Sequence, residues 1–531
     1  MNTDRDPELP ASYPSKISEN PTHHKEIKPP HLTTDERKEL IHQYHPSHQN
    51  NLMAAIPFGP NSGELAPTEL VDLLTSESHI SQKEAEGLRT TADVDVLVIG
   101  GGGAGLVAAR AAKREGASVL VATKLRLGDS NTCMANGISA AIGNYDSTTL
   151  HFLDTLIGGN YDGNPHLIRT LVEEASQSIN QLQELGIPVK WSNQKSLGHD
   201  KTFGGHSVER GVKALLGATG VEIIRALKRE IEELDIKVLE SHPIIECLKD
   251  QHGKCSGAIL MNLDTSQPIL IHAKSVIMAT GGLGSLNCGG AITSNHYGST
   301  GDGIIVSYRL GSKLINIDSL QFHPTGVAWP EACTGMLISE HFRHLGARLI
   351  NSCGDRFINE TDYRDAVSSA IFRECAEGRG ITTASGIKAV WLDATNLHGD
   401  SDNMKSPTII DTHSKLQKKG VDIFHEPFLV CPSLHYQNGG IEITSTCQTS
   451  VLGLFAAGEV AGGIHGSNRL GGNALLDVLV FGNRAGISAA KYAVTAKRCK
   501  LNLDHIRNTP INKHRPRKSP LLFPRQSKIT I

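Results

Sequence analysis

The sequence predicts an α/β fold built on a parallel sheet, because three stretches repeat one pattern: residues 95–105 (DVLVIGGGGAG), 275–282 (SVIMATGG) and 453–463 (GLFAAGEVAGG) each run a short apolar strand into glycines and other small residues. In the first, the glycines lead on into LVAARAAKREG, which has helical periodicity. Gly100, Gly102 and Gly105 hold the three G-x-G-x-x-G places of a Rossmann-like dinucleotide-binding unit, with Gly103 and Ala104 between them. A tight turn, an open backbone and close helix–sheet packing each call for glycine there. A pyrophosphate would then rest on the helix amino end, where unpaired N–H groups and the helix dipole favour an anion.

Composition narrows the class. At 531 residues, with 39% hydrophobic and 20% charged residues and a net charge of −3, the chain reads as an ordinary multidomain globular protein, and nothing points to nucleic acid. Its ten cysteines contain no C-x-x-C pair, so no metal, haem or iron–sulfur attachment is predicted, and reduced packing cysteines are the expectation. No apolar run approaches the roughly 18 residues of a membrane span, and the first residues lack a signal-peptide layout, which predicts a cytoplasmic protein.

The remaining elements follow in chain order. Residues 1 to about 32 are rich in Pro, His, Asn and Ser and are expected to be mobile; the six histidines among the first 48 residues read as solvated. Thr33-Thr34-Asp35-Glu36 starts a helix continuing through RKELIHQY, and APTELVDLLTSES predicts a second, both within an N-terminal extension at 1–90. After the first βαβ unit, ASVLVATK is a buried second strand. Its end carries Thr123 and Lys124 in place of the ribose-binding acid of many NAD enzymes. Helices are expected at about 164–186 and 219–234. Ala279, Thr280 and Gly281 form a small-residue turn that could pass beneath a cofactor, and Asp302 and Glu459 are acids placed to reach ribose or ribityl hydroxyls or, equally, to cap loops. From Lys491 onward there are eleven Lys and Arg against one acid, Asp504, with four prolines, a composition expected of a solvated basic tail.

The segment from about 91 to 490 resembles the succinate dehydrogenase/fumarate reductase flavoprotein family, which includes L-aspartate oxidase and the soluble fumarate reductases. The motifs that carry the resemblance are VIGGGGAGLVAA, SNTCMANGISAA, GGHSVER, ATGG, QFHPTG, RFINETDYRDAVSSAI, HYQNGG and AGEVAGGIHGSNRLGGNALLDVLVFGNRAG, in that order. It implies a Rossmann-like FAD-binding domain in two pieces, 91–318 and 433–490, with an inserted α+β capping domain at 319–432, and leaves out the first ninety residues and the basic tail at 491–531. Ser130, Asn131, Thr132, Gly137, Asn473, Leu475 and Leu476 join the expected FAD contacts.

The resemblance also implies a chemistry. His323, His435 and Arg469 match the ligands of a small dicarboxylate, with Ser339 as a hydroxyl donor. Arg364 matches the proton donor, and Glu340 and Arg343 match the relay that replaces its proton from solvent. The plain alternative for these residues is core histidines and surface ion pairs. Membrane succinate dehydrogenases carry a histidine between Ser and Thr that bonds flavin covalently; here the triplet is Ser130-Asn131-Thr132, implying non-covalent FAD at lower potential and a bias toward fumarate reduction. MANGIS is one residue shorter than the family's usual form, RHLGA replaces RGEGG, and the chain ends soon after the last flavin-binding helix, as the soluble fumarate reductases do. L-Aspartate oxidase, a flavoprotein subunit of a succinate dehydrogenase-like complex and a flavin-binding scaffold without activity remain as alternatives. With no iron–sulfur or haem ligands in the sequence, electrons are expected from an iron–sulfur or other electron-transfer partner, with peripheral membrane association through it.

Overall fold

The computed structural model describes residues 28–142, 146–191, 204–215, 218–398 and 406–507. Strand Thr90–Ile99 lies at the centre of the large sheet, parallel to Val119–Ala122 on one side and to Gln267–Met278 on the other. Lys237–Leu239 and Leu454–Ala456 extend the parallel part, while Ile244–Asp250, Cys255–Asn262 and Leu501–Asn502 add antiparallel strands beyond Gln267–Met278. Because a parallel sheet is covered on both faces, its central strands read as unbroken apolar runs, and Val96, Leu97, Val98, Val276, Ile277 and Met278 are all buried.

Two helices crossing one face lock the sheet to the glycine turn. Helix Gly103–Arg114 packs along Asn473–Thr495, and the contact is backbone-close: a Cβ on Gly486 would stand 2.3 Å from Ala108 O. The helices expected at 164–186 and 219–234 are Pro165–Glu173 followed by Ala175–Glu184, and Thr219–Glu233.

The second layer is a five-stranded, antiparallel sheet made of Leu320–Val327, Phe428–Gln437, Lys388–Asp393 and Arg348–Ile350, with Ile381–Thr382 paired to Lys388–Asp393. Pro324 interrupts the first strand where the register shifts between His323 and Gly326, as a residue without an N–H must. Helix Arg364–Ala376 lies on this sheet, with Ser368 Oγ donating to Phe322 O at 3.1 Å. The core under this layer is separate and is drawn from residues 327–430 together with Leu40. The expected division at 432/433 falls inside strand Phe428–Gln437, which spans from this layer toward the large sheet.

Where the described residues approach the two ends of the chain they depart from expectation, while residues 1–27, expected to be mobile, and 508–531 lie outside them. Residues 28–32 are docked, since His31 Nδ1 lies 3.0 Å from Asp362 Oδ1 and Leu32 N donates to Asp362 Oδ2 at 3.1 Å; the two histidines before residue 28 lie outside the described residues. Helix Thr34–Tyr44 begins with the expected capping box, Thr33 Oγ1 accepting from Glu36 N and Glu36 accepting from Thr33 N. At the other end the last long helix continues to Thr495, Leu501–Asn502 pairs with Lys249 and Asp250, and Ile506 packs against Ile80, Ala85 and Ile245. Residues 497–507 are therefore part of the sheet and its packing, because alternate apolar residues among the lysines supply a strand edge; the four tail prolines lie outside the described residues.

Candidate active site

The turn after strand Thr90–Ile99 is closed by contacts that exclude side chains. Gly100 has φ +118°, and a Cβ on it would lie 2.2 Å from Ala279 O; a Cβ on Gly105 would lie 1.9 Å from Gly100 O. The turn, helix Gly103–Arg114 and the Ala279–Gly281 turn thus meet backbone to backbone, with Gly102 as the helix N-cap and Ala104 in the first turn. An α-helix leaves its first amides without intrahelical partners, and here residues 100–103, all glycine, bring no side chain of their own to that end, where Ser130 and Thr132 are the neighbours. Gly103 N donates to Thr132 Oγ1 at 3.3 Å, and Ser130 Oγ donates to Gly128 O at 3.0 Å. This cradle could take the pyrophosphate of a dinucleotide.

The other expected cofactor residues surround it with distinct local roles. Asn131 binds Asn295 Oδ1, Ser299 Oγ and Glu459 Oε2 at 2.7, 3.1 and 3.2 Å, and its own Oδ1 accepts from His296 N. Glu459 also accepts from Gln437 N at 3.0 Å, and burial raises its carboxyl above the usual range despite these bonds. Thr123 packs its side chain over Gly101. Lys124 pairs with Asp302 at 2.7 Å and donates to Thr300, so the acid at the start of helix Asp302–Leu310 is shared with a cation of the neighbouring strand end. Thr280 faces Gly303, whose Cβ would stand 2.2 Å from Thr280 Oγ1. Asn473 bridges Thr155 Oγ1 and His151 Nε2, Leu475 and Leu476 are buried in the core, and Gly137 is buried just before strand Ile138–Ser139.

A second group of polar side chains gathers where the two layers meet. Strand Leu320–Val327 contributes Gln321 and His323, the short helix His341–His344 contributes Arg343 and its N-cap Glu340, and helix Arg364–Ala376 begins with Arg364. Phe428–Gln437 contributes His435, and the loop before Asn473–Thr495 contributes Arg469. Glu340 lies between two guanidiniums: Arg364 Nη2 donates to Oε2 at 3.1 Å and Arg343 Nη2 to Oε1 at 3.1 Å, with Gly204 N donating to Oε2 at 3.2 Å. Arg343 Nη1 donates to Glu360 O. His323 and His435 face each other with ring centroids 5.3 Å apart.

The electrostatics follow from burial. Glu340, Arg343, Arg364 and Arg469 are 4%, 2%, 9% and 4% exposed, which removes the plain alternative of surface ion pairs. Arg343 has no exposed side-chain surface, so the outlet to solvent expected of it is not at its own guanidinium. Burial alone would raise the Glu340 carboxyl, but Arg364 and then Arg343 outweigh it and hold the group well below the usual carboxylate range. Burial, reinforced by Arg364, keeps His323 and His435 well below the ordinary histidine value, so both are neutral. Thr325 N donates to His323 Nδ1 at 3.3 Å, which leaves Nε2 as the donor of that ring; His435 Nδ1 is 2.9 Å from Ser294 Oγ. Burial pushes Arg469 down to about 10, still a cation at neutral pH, and its guanidinium lies 4.3 Å from the centroid of the Tyr436 ring. Two guanidiniums share the Glu340 carboxylate and a third, Arg469, is held by the neutral oxygens of Gln321 and Leu470, which leaves a surplus of positive charge in a buried site and suits a dianion.

All three catalytic candidates and His323, His435 and Arg469 are thus brought into one cleft. Ser339 stands beside it, but its Oγ accepts from His341 N at 3.3 Å and serves the turn. Three residues in the cleft were not singled out from the sequence. Gln321 accepts from both Arg364 and Arg469, and alternation along the strand, two residues before His323, was the available signal. Asn468 Oδ1 accepts from Gln321 Nε2 at 3.0 Å, and Tyr436 stacks on Arg469; both adjoin residues the motifs marked.

Comparison with known proteins bears on the whole arrangement. The family model described as FAD binding domain matches residues 95–475. A fumarate reductase (CoM/CoB) subunit from Methanothermobacter marburgensis is 38% identical over 419 residues, covering 76% of this chain and 74% of that protein. The L-aspartate oxidase of Streptomyces coelicolor is 34% identical over 453 residues, covering 82% and 75%. Among solved structures, an E. coli quinol fumarate reductase FrdA variant superposes with a TM-score of 0.70 at 31% identity, covering 79% of this chain and 73% of that one.

Proposed function

Because the chain belongs to the FAD-binding flavoprotein family of fumarate reductases and succinate dehydrogenases, and is an FAD-dependent oxidoreductase of that type, we propose that it reduces fumarate or a close dicarboxylate analogue, with Arg364 as the proton donor. The observation that carries the reading is the surplus positive charge of three buried guanidiniums, Arg343 and Arg364 on Glu340 and Arg469 joined to Arg364 through Gln321. Flavin, when bound without a covalent link, supplies hydride transfer at N5 to an unsaturated carbon next to a carboxylate. Gly100, Gly102 and Gly105 would hold its pyrophosphate on the helix amino end, with Glu459 and Asn131 on the far side of the turn.

The protein's own groups would do the rest. His323 Nε2, His435 and Arg469 grip the two carboxylates, with the arginine able to bind one of them bidentately. Arg364 presents an N–H to the carbon that gains negative charge. An arginine is a very weak acid, with a pKa above about 12, but a carbanion beside a carboxylate is more basic still, and positioning in a dry site makes the transfer feasible. Once Arg364 has given up its proton, one of the two cations that keep Glu340 ionised is gone. That loss raises the proton affinity of Glu340, which takes the N–H proton Arg343 donates to it and hands it to Arg364, Arg343 being recharged in turn from solvent.

Electrons would come from a separate electron-transfer partner, a reading supported by the similarity to flavoprotein subunits of multi-subunit fumarate reductases; among the described residues no helix is long and apolar enough to cross a membrane. The test is anaerobic. Chemically reduced, FAD-loaded protein mixed with fumarate should return to the oxidised flavin spectrum with formation of succinate, and Arg364→Gln should slow this by roughly 10²–10⁴. Absence of reoxidation with intact flavin overturns the reading. L-Aspartate is the second candidate, favoured by the 34% identity over 82% of the chain. Its ammonium group would enter a pocket already rich in cations, and production of iminoaspartate and peroxide from it would decide for that reading.

A further inference from the structure

We propose that Arg37, in the segment before the family-matched region, is a positioning residue that clasps the two layers of the cleft together behind Arg364 and Arg469. The inference rests on the proposed roles of those two arginines. Arg37 lies on helix Thr34–Tyr44 and is 6% exposed. Its guanidinium binds Asp365 through two bonds, Nε to Oδ1 at 3.1 Å and Nη2 to Oδ2 at 2.6 Å, in the bidentate geometry that an arginine fork makes with a carboxylate. It also stacks on Tyr363 at 3.9 Å. Tyr363 and Asp365 flank Arg364, so the ring and the carboxylate fix the first turn of that helix from behind.

The same guanidinium reaches the other layer. Nη2 donates to Gly158 O at 2.9 Å, at the end of helix Thr148–Gly158. Gly158 O accepts a second bond from Asn468 Nδ2 at 2.9 Å, and Asn468 Oδ1 holds Gln321. Asn160 Nδ2 adds a bridge between Asp365 Oδ2 and Ser467 Oγ at 3.0 and 2.9 Å. One buried cation therefore joins the carboxylate of Asp365, next to Arg364, to the Gly158 carbonyl, which Asn468, next to Arg469, also holds. The rest of the segment follows the same seam: His31 and Leu32 bind Asp362, His45 stacks edge-on against Phe322, and Ser47 Oγ accepts from Leu320 N. A site whose ligands come from two layers is competent only while the layers are closed, and the clasp raises the closed fraction.

The experiment compares FAD-loaded wild type with Arg37→Ala by hydrogen exchange and by steady-state kinetics with fumarate. Flavin content should be retained, amide protection should fall at the start of helix Arg364–Ala376 and at residues 157–161, and KM for fumarate should rise roughly tenfold, in proportion to the lost closed fraction, with kcat changed far less. A merely structural role would lower the active fraction and leave KM unmoved. Should Arg37→Ala not be recovered with flavin, Arg37→Gln carries the same two measurements. Unchanged exchange in both segments overturns the clasp. If wild type proves inactive with fumarate, the exchange result still stands, so failure of the clasp and failure of the proposed activity remain distinguishable.

Discussion

Arg364 and Arg469 donate to the same oxygen, Gln321 Oε1, at 3.3 and 3.1 Å. A neutral amide is a telling choice at that point. It fixes the spacing of two cations while leaving their charge available to a ligand, whereas a carboxylate would consume it. Gln321→Glu should therefore weaken dicarboxylate binding by about 2–3 kcal/mol, on the order of 100-fold in Kd. Titration of the flavin absorbance with fumarate or succinate measures this, and an unchanged Kd would show that the shared oxygen does not tune the pocket.

Glu340 is the counter-charge on which the cluster depends. Replacing it by Gln leaves Arg343 and Arg364 buried without a bonded carboxylate, and breaking a buried pair from one side removes about 3 kcal/mol of stability. The same change interrupts the proposed proton path. Turnover should fall by roughly 10² or more, with a smaller change in substrate affinity. Denaturant unfolding followed by flavin fluorescence, alongside kcat and KM, separates the two effects.

How much of this was legible in the sequence depends on the range of the interaction. The glycine turn, the strand ending at Met278 and the helix Thr219–Glu233 follow from local pattern and could be read directly. The cleft residues carried no local signal of partnership: His323 and Arg469 stand 146 positions apart, and it was the order of the motifs that brought them together. Arg37 offers no signal at all, since TDERKELIHQY reads as an exposed, well-capped helix and its partner Asp365 lies 328 residues away. The strand Leu501–Asn502 was hidden by the surrounding basic residues, since only two residues, one apolar and one polar, pair with the sheet edge. The acid expected at Asp302 was legible as an acid, but its pairing with Lys124 was not.

Stability should fall with acid in a window set by buried histidines. Burial lowers His45 to about 4 and His151 to about 3, while each in the unfolded chain takes a proton near pH 6.5. Between those values the unfolded state binds more protons than the native one, so stability is complete above pH 6.5 and declines below it, by up to about 1.4 kcal/mol per pH unit for each group. Carboxylates such as Glu340 add to the decline only below their own unfolded value of 4.5. Urea unfolding at pH 7.5, 6.0 and 5.0 should show the fall, and His151→Gln, which keeps a donor for Asn473, should flatten the slope by about one histidine's share.

The flavin cradle can be tested by steric argument alone. An alanine at Gly105 would put its Cβ 1.9 Å from Gly100 O, a backbone atom held by the strand end and unable to move aside. An alanine at Gly102 would meet Ser130 Cβ at 3.1 Å, a side chain on a partly exposed turn that can shift by a few tenths of an ångström. Helix and turn must separate in the first case, which moves the amide donors away from any phosphate, and the second leaves them in place. Gly105→Ala should therefore be recovered without flavin or not recovered at all, while Gly102→Ala folds and holds flavin more weakly than wild type, its methyl crowding the backbone that must lie open to the pyrophosphate. The ratio of flavin to protein absorbance after gel filtration reads the difference, and a Gly105→Ala protein as yellow as wild type would place the cofactor elsewhere.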